Sequence, residues 1–320
     1  MEQLKFAVSS SPHIRSSTNT SSIMMDVIIA LMPAGIYSIY LFGFRSLFVI
    51  LTSVFTCVLS EYIACKLMKK KSSINDFSAA VTGMLLAFVL PPTVPLWIPV
   101  IGGAFAIIIV KMLFGGIGYN FINPALAART FLTASWPVIM TTWINPGPDG
   151  ITSATPLSII KSGGEVIAES KPGLFNLFIG NIPGCIGETS ALLLLIGGLY
   201  LVFKKVISLE IPLSFIGTVA VFTWLFGGIG IGNGEFMYHI LAGGLMIGAF
   251  FMATDYTTSP ITGKGKVVMG IGCGLITSII RLYGAYPEGV SYSILLMNLV
   301  VPLIDRFFAH HRYGGAKSNA

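Results

Sequence analysis

The sequence predicts an all-α polytopic membrane protein of about ten transmembrane helices. Three observations predict it: 54% of the residues are hydrophobic, only 10% are charged, and the mean hydropathy is +0.84. A hydrocarbon core about 30 Å thick needs about 20 apolar residues per helix. Runs approaching that length fall at 23–44, 46–65, 76–91, 96–113, 124–143, 186–203, 209–228, 236–254, 267–284 and 290–308. Several are short or carry proline and glycine, which predicts broken helices.

The segments follow in order. Residues 1–22 are polar and form a cytoplasmic N-terminal segment, with no cleavable leader pattern before the first long apolar run. Residues 23–143 make a first membrane repeat, 144–185 an outward-facing loop, 186–308 a second membrane repeat, and 309–320 a cytoplasmic tail.

Orientation follows from lysine and arginine, which are retained in cytoplasmic loops. With the N-terminus inside, fifteen of the 19 basic residues fall on the cytoplasmic side, Lys111 and Arg129 among them, leaving Arg45, Lys161, Lys171 and Arg281 outside. Both termini are therefore expected in the cytoplasm. The net charge of +6 is a topology signal and needs no nucleic-acid partner.

TGMLLAFVLPP at 82–92 resembles AGGLMIGAFFMATDYTTSP at 242–260. Each is followed by a helix, a Gly/Tyr turn and another helix. Two copies of five spans have opposite orientations because five is odd. Inverted repeats with interrupted helices meet at sites near the bilayer midplane, where freed backbone lines a cavity. That pattern also fits a secondary transporter or channel for a small solute. A structural anchor for an outer partner is a third reading.

The polar island Asp149-Gly150-Ile151-Thr152-Ser153-Ala154-Thr155-Pro156 lies in the outer loop. Thr155 before Pro156, then Leu-Ser-Ile-Ile-Lys-Ser-Gly-Gly, has the form of an N-cap, a proline at N1, a short helix and a glycine stop. A phosphate esterified to that hydroxyl would meet the same unsatisfied N–H groups that a cap satisfies.

Carboxylates in or near the spans are costly in lipid and mark pairs or ion paths. Asp26, Asp76, Asp255 and Asp305 fall near the cytoplasmic ends of their helices, where capping is the simplest role. Glu61 lies one turn inside its span with Lys66 five residues on, so an ion path and an interfacial pair both remain open. Glu288 in the turn YPEG and Glu188 in GCIGETS are candidates for the outer mouth of an ion path or for the neighbourhood of Thr155. Arg129 either steadies an anion or pairs with a carboxylate inside the protein, or snorkels to the cytoplasmic surface. Neither Cys57, Cys65, Cys185 and Cys273 nor His13, His239, His310 and His311 show metal-ligand spacing, so no metal site is expected.

The D-G-x-T-S-A-T pattern ending at Thr155 resembles the flavinylation site of the RnfD/NqrB family of membrane subunits. The likeness extends along the chain through SSSPHIRS, MMDVIIALMPAGIYSIYLFG, DFSAAVTGMLLAFVLPP, FGGIGYNFINPALAARTFL, LFIGNIPGCIGETSALLLLIGG, FFMATDYTTSPITGKGK and YPEGVSYSILLMNLVVPLID. It is nearer to the RnfD branch, since the NqrB branch carries a longer N-terminal region. The resemblance implies a prokaryotic cell-membrane subunit of a complex that couples ferredoxin:NAD electron transfer to Na+ or H+ movement. It implies FMN esterified to Thr155 by a flavin transferase, with Asp149, Gly150, Thr152, Ser153, Ala154 and Glu188 around it. NqrB-like subunits also hold a noncovalent riboflavin, which the broken helices at 82–92 and 254–260 have room to accommodate, although the sequence does not place it. Glu61, Asp255 and Glu288 are the expected ion-path residues. The implied partners are a second FMN-carrying subunit with an outer domain, two small membrane subunits, and iron-sulfur and NAD-binding subunits.

Overall fold

The computed structural model describes residues 19–70, 73–147, 151–162, 171–188, 190–228 and 231–308. Asp149, Gly150, His13, His310 and His311, with most of the two terminal segments, lie outside these.

Each apolar run of the sequence holds helix. The first half contains α1 (Thr20–Phe42), α2 (Phe44–Leu67), α3 (Ser78–Phe88), α4 (Trp97–Ala104, continuing as a π-helix over Phe105–Met112), α5 (Pro124–Ser135) and the one-turn α6 (Pro137–Met140). Two short helices follow, α7 (Pro156–Ser162) and α8 (Leu174–Ile179). The second half contains α9 (Ala191–Phe203), α10 (Glu210–Phe226), α11 (Phe236–Leu241), α12 (Leu245–Ile247, continuing as a π-helix over Gly248–Met252), α13 (Gly263–Tyr283) and α14 (Val290–Phe307). Among the described residues α1, α2, α13 and α14 are long and apolar enough to cross a bilayer individually.

The shorter helices have local causes. α3 stops at Phe88, just before Pro91-Pro92, whose rings cannot continue a helix. The run at 124–143 breaks at Trp136, which Pro137 forces out of helical geometry to φ −133° and ψ 63°. The run at 186–203 becomes α-helical only from Ala191, capped by the Ser190 hydroxyl on the Leu193 N–H. The run at 236–254 is interrupted by Gly243 at φ +71°, a left-handed conformation that glycine adopts without penalty.

Packing relies on small residues where backbones approach. At Gly197 a methyl group would lie 2.3 Å from the Ala30 carbonyl oxygen, so α9 meets α1 only because the side chain is absent. The buried core runs through both halves, from Leu31, Leu86, Phe88 and Leu126 to Phe215, Leu245, Met269 and Ile294. Large apolar side chains such as Phe44, Phe55, Phe203, Leu213 and Leu303 face outward, as a lipid-facing belt requires.

Candidate functional site

At one end of the bundle the 144–162 segment folds onto the turn before α14. An isolated antiparallel bridge joins Ile144 to Thr152, with Asn145 and Ser153 N–H groups donating to the Ile151 and Trp143 carbonyls at 2.9 and 3.1 Å. Thr155 then caps α7: its Oγ1 accepts from the Ser158 N–H at 3.3 Å, and Pro156 occupies the first helical position. The N-terminal signal in the sequence is therefore realised in the structure.

Three basic residues fasten this end together. Lys161 Nζ donates to the Ile280 and Tyr286 carbonyls at 3.4 and 3.0 Å, tying α7 to the end of α13 and to the YPEG turn. Partial burial there lowers the pKa of the Lys161 ammonium. Arg281 reaches the His239 carbonyl, the Ala242 carbonyl at 3.4 Å and the Glu288 carbonyl at 3.0 Å, joining the break at Gly243 to the same turn. Arg129 on α5 pairs with Glu288 and lies 3.7 Å from Glu188. Arg129 therefore belongs to the Thr155 end of the molecule, which corrects its place in the cytoplasmic set. Its guanidinium is held inside the protein and does not snorkel. Its partners lie 59 and 159 residues away in sequence, so helix spacing could not reveal them.

These tethers enclose a cavity of about 310 Å³. Ser153, Ala154, Thr155 and Ser158 form one wall, Arg129, Thr130 and Thr133 a second, and Tyr286, Glu288 and Tyr292 a third, with Trp143 at the edge. The Tyr286 and Tyr292 rings stack with centroids 5.4 Å apart. Of the sequence candidates, Ser153, Ala154, Thr155 and Glu288 meet here. Glu188 lies behind Arg129, buried, with Oε2 accepting from the Cys185 N–H at 3.4 Å. Thr152 is exposed on the bridge and does not line the cavity. The aromatic wall was missed in the sequence. Its only signal there was the spacing of the two tyrosines in YPEGVSY.

Asp255 lines a second cavity of about 90 Å³ together with Thr82, Asn120, Asn123 and Lys111, and Glu61 lies behind Lys111 outside its lining. Glu61 is fully buried behind Lys111 and pairs with that residue at 2.8 Å rather than with Lys66. Asp255 accepts from the hydroxyls of Thr257 and Thr258 at 2.9 and 3.3 Å, so it caps its own turn. Asp76 caps the start of α3 through the Ser78 N–H at 2.8 Å, and Asp305 accepts from the Ile261 N–H at 3.0 Å. Asp26 accepts from the Tyr200 hydroxyl at 2.9 Å.

Apolar helices broken around buried polar groups, with two cavities between them, define a multi-pass helical membrane protein. The chain belongs to the NQR2, RnfD, RnfE family, which it matches over residues 7–314. It is 53% identical to a component of the Na(+)-translocating ferredoxin:NAD(+) oxidoreductase complex of Acetobacterium woodii, covering 99% of this chain and 98% of that one. It is 48% identical to a component of the proton-translocating ferredoxin:NAD(+) oxidoreductase complex of Clostridium ljungdahlii, covering 97% and 96%. With a component of the ion-translocating oxidoreductase complex of Halorhodospira halophila it shares 35% identity over 97% and 96%.

Proposed function

We propose that this chain is an electron-carrying subunit of an ion-translocating ferredoxin:NAD+ oxidoreductase complex, with FMN esterified to Thr155. Family membership and the names of the relatives support the complex. The observation that carries the cofactor is the placement of Thr155 in a cavity walled by Arg129, Tyr286 and Tyr292. The residues present fit the group. About 310 Å³ is within the range of small-molecule sites, tyrosine faces suit a flat ring, and a guanidinium suits an electron-rich one. Esterification removes the Thr155 hydroxyl proton but leaves its oxygen able to accept from the Ser158 N–H. When bound, the flavin supplies one- and two-electron exchange. The protein's part is to hold the attached group against the YPEG turn through Lys161 and Arg281 and to keep the Arg129 charge beside it.

The same reading assigns a noncovalent riboflavin to the second cavity. Its hydroxyls and amides suit the polar edge of such a ring. Its volume of about 90 Å³ requires the walls to separate before a ring enters. Asp255 at that cavity, Glu61 behind its Lys111, and Glu288 at the other cavity are the proposed ion-path carboxylates. The relatives named for Na+ and for protons are 53% and 48% identical to this chain, so overall similarity does not choose the ion. The reading of ten spans in two inverted repeats of five is supported by helix breaks after Phe88 and after Met252, in the two segments that the sequence pairs. On this topology both termini are cytoplasmic, Thr155 faces outward, and the prokaryotic cell membrane houses the complex. The proposed partners are a second FMN subunit with an outer domain, two small membrane subunits, and iron-sulfur and NAD-binding subunits. A flavin transferase completes maturation.

The test is a denaturing gel of the subunit coexpressed with a flavin transferase and scanned for flavin fluorescence. The wild-type band is expected to fluoresce and the Thr155→Ala band to be dark. Two dark bands beside a labelled control protein would overturn the reading in favour of a solute transporter.

A further inference from the structure

The Glu61 end of the molecule holds a buried ion pair with one side left open. Glu61 is fully buried, and only its Oε1 is occupied, by Lys111 Nζ at 2.8 Å and by the Ser73 hydroxyl at 2.7 Å. Its Oε2 has no hydrogen-bond partner among the described residues. An ionised carboxylate oxygen without a partner in such a place is costly, and a small cation is the usual remedy. Ser73, which donates to Glu61, is only half-buried.

Lys111 occupies the other side of the carboxylate. Its Nζ also donates to the Ser78 hydroxyl at 2.6 Å, and it lines the second cavity together with Asp255. About 90 Å³ there gives room for a few waters, or for an ammonium on a flexible stem to change partners. The backbone that carries Lys111 is a π-helix, closed by the Leu113 N–H donating to the Ile108 carbonyl and the Gly116 N–H to the Lys111 carbonyl, at 3.1 and 3.0 Å. Such wide turns are less regular than an α-helix and recur at functional positions.

We propose that Glu61 is a monovalent-cation site reached from the surface past Ser73, and that Lys111 is its tethered blocking cation. While the ammonium sits on Glu61 the site is closed. When it moves into the cavity toward Asp255, a sodium ion or a proton takes its place on the carboxylate. One positive charge leaves Glu61 and one arrives, so the local balance is kept. Negative charge brought into the cavity favours the open arrangement, which gives the complex a way to link electron arrival to cation uptake. The proposal rests on the ion-path reading of Glu61 and is independent of flavin at Thr155. Among the described residues the other titratable groups around the pair are Cys57 and Cys65 on α2, Asp76 beyond Ser78, and Asp255 across the cavity.

The test compares thermal melting of the purified complex carrying wild-type subunit, Lys111→Gln, or Lys111→Gln with Glu61→Gln. Removing the ammonium leaves a buried carboxylate that must find a cation. For a sodium site, the melting temperature of Lys111→Gln rises with sodium chloride and not with choline chloride. For a proton site, it falls as pH rises, because the buried carboxylate is tolerated only while protonated, and sodium does not restore it. The double variant shows neither response. Identical behaviour of single and double variants at every pH and sodium concentration would overturn the proposal.

A second measurement needs no variant. A hydrophobic carbodiimide applied to the wild-type complex is expected to label Glu61 during turnover with reduced ferredoxin and NAD+, several times more than at rest, and sodium is expected to protect it if sodium is the ion. Glu61 remaining unlabelled during turnover, while another carboxylate in the complex is labelled, would overturn the proposal. Neither measurement reads the flavin, so a failure at Thr155 leaves this result standing and the reverse also holds.

Discussion

Arg129 on α5 and Glu288 in the turn before α14, 159 residues apart in sequence, form an ion pair in the wall of the cavity that Thr155 lines. Both side chains are largely buried, and Glu188 lies 3.7 Å from the same guanidinium. In such surroundings the pair contributes little net stability, but breaking it strands a charge.

Arg129→Leu is therefore expected to destabilise the protein by about 3–5 kcal/mol, because two carboxylates lose their counter-charge. Pairing it with Glu288→Leu recovers part of the loss. Thermal melting of the purified complex checks both, and equal losses in single and double variants would count against a true pair.

Thr155→Ala removes the cap as well as the proposed attachment point of the flavin. The cap is worth about 1 kcal/mol to α7, so faster hydrogen exchange over 156–162 is expected while the rest of the fold is unchanged. Thr155→Ser keeps the capping oxygen and is expected to hold exchange near the wild-type rate.

Gly243→Ala is strained twice. Its φ of +71° disfavours a side chain, and the new methyl would lie 2.7 Å from Leu157 Cδ1 on α7. A loss of about 1–3 kcal/mol is expected, with displacement of α7 and a lower yield of flavinylated Thr155 on the fluorescence gel.

Gly197→Ala and Gly217→Ala form a matched pair. The first methyl would collide with the Ala30 carbonyl, whereas nothing lies within 4 Å of the second. We expect Gly197→Ala to lose about 1–3 kcal/mol or more and Gly217→Ala to be neutral or slightly stabilising, read as melting temperatures of the two purified variants.

Hydropathy alone placed helix in every apolar run, and proline marked the break before Pro91, whereas 124–143 was read as one span and breaks at Pro137. These features are local, and local sequence carries them. The cap at Thr155 was legible for the same reason. The partners of charged groups were not. Lys66 is near Glu61 in sequence, yet a buried carboxylate takes the cation that helix packing brings to it, which is Lys111, 50 residues on. Arg129 was assigned to the wrong end because it follows a glycine-rich turn, whereas two long-range carboxylates hold it. The tyrosine wall facing Thr155 arises from the docking of α7 on the end of α13, a contact between segments more than 100 residues apart.

The most direct test of the central claim is peptide mass analysis of the protein purified from cells that contain a flavin transferase. The account predicts that the peptide spanning Thr155 carries the mass of FMN joined through its phosphate, with fragment ions placing the adduct on Thr155, and that Thr155→Ala lacks it. An unmodified Thr155 peptide, recovered under conditions in which a known acceptor is flavinylated, would contradict it.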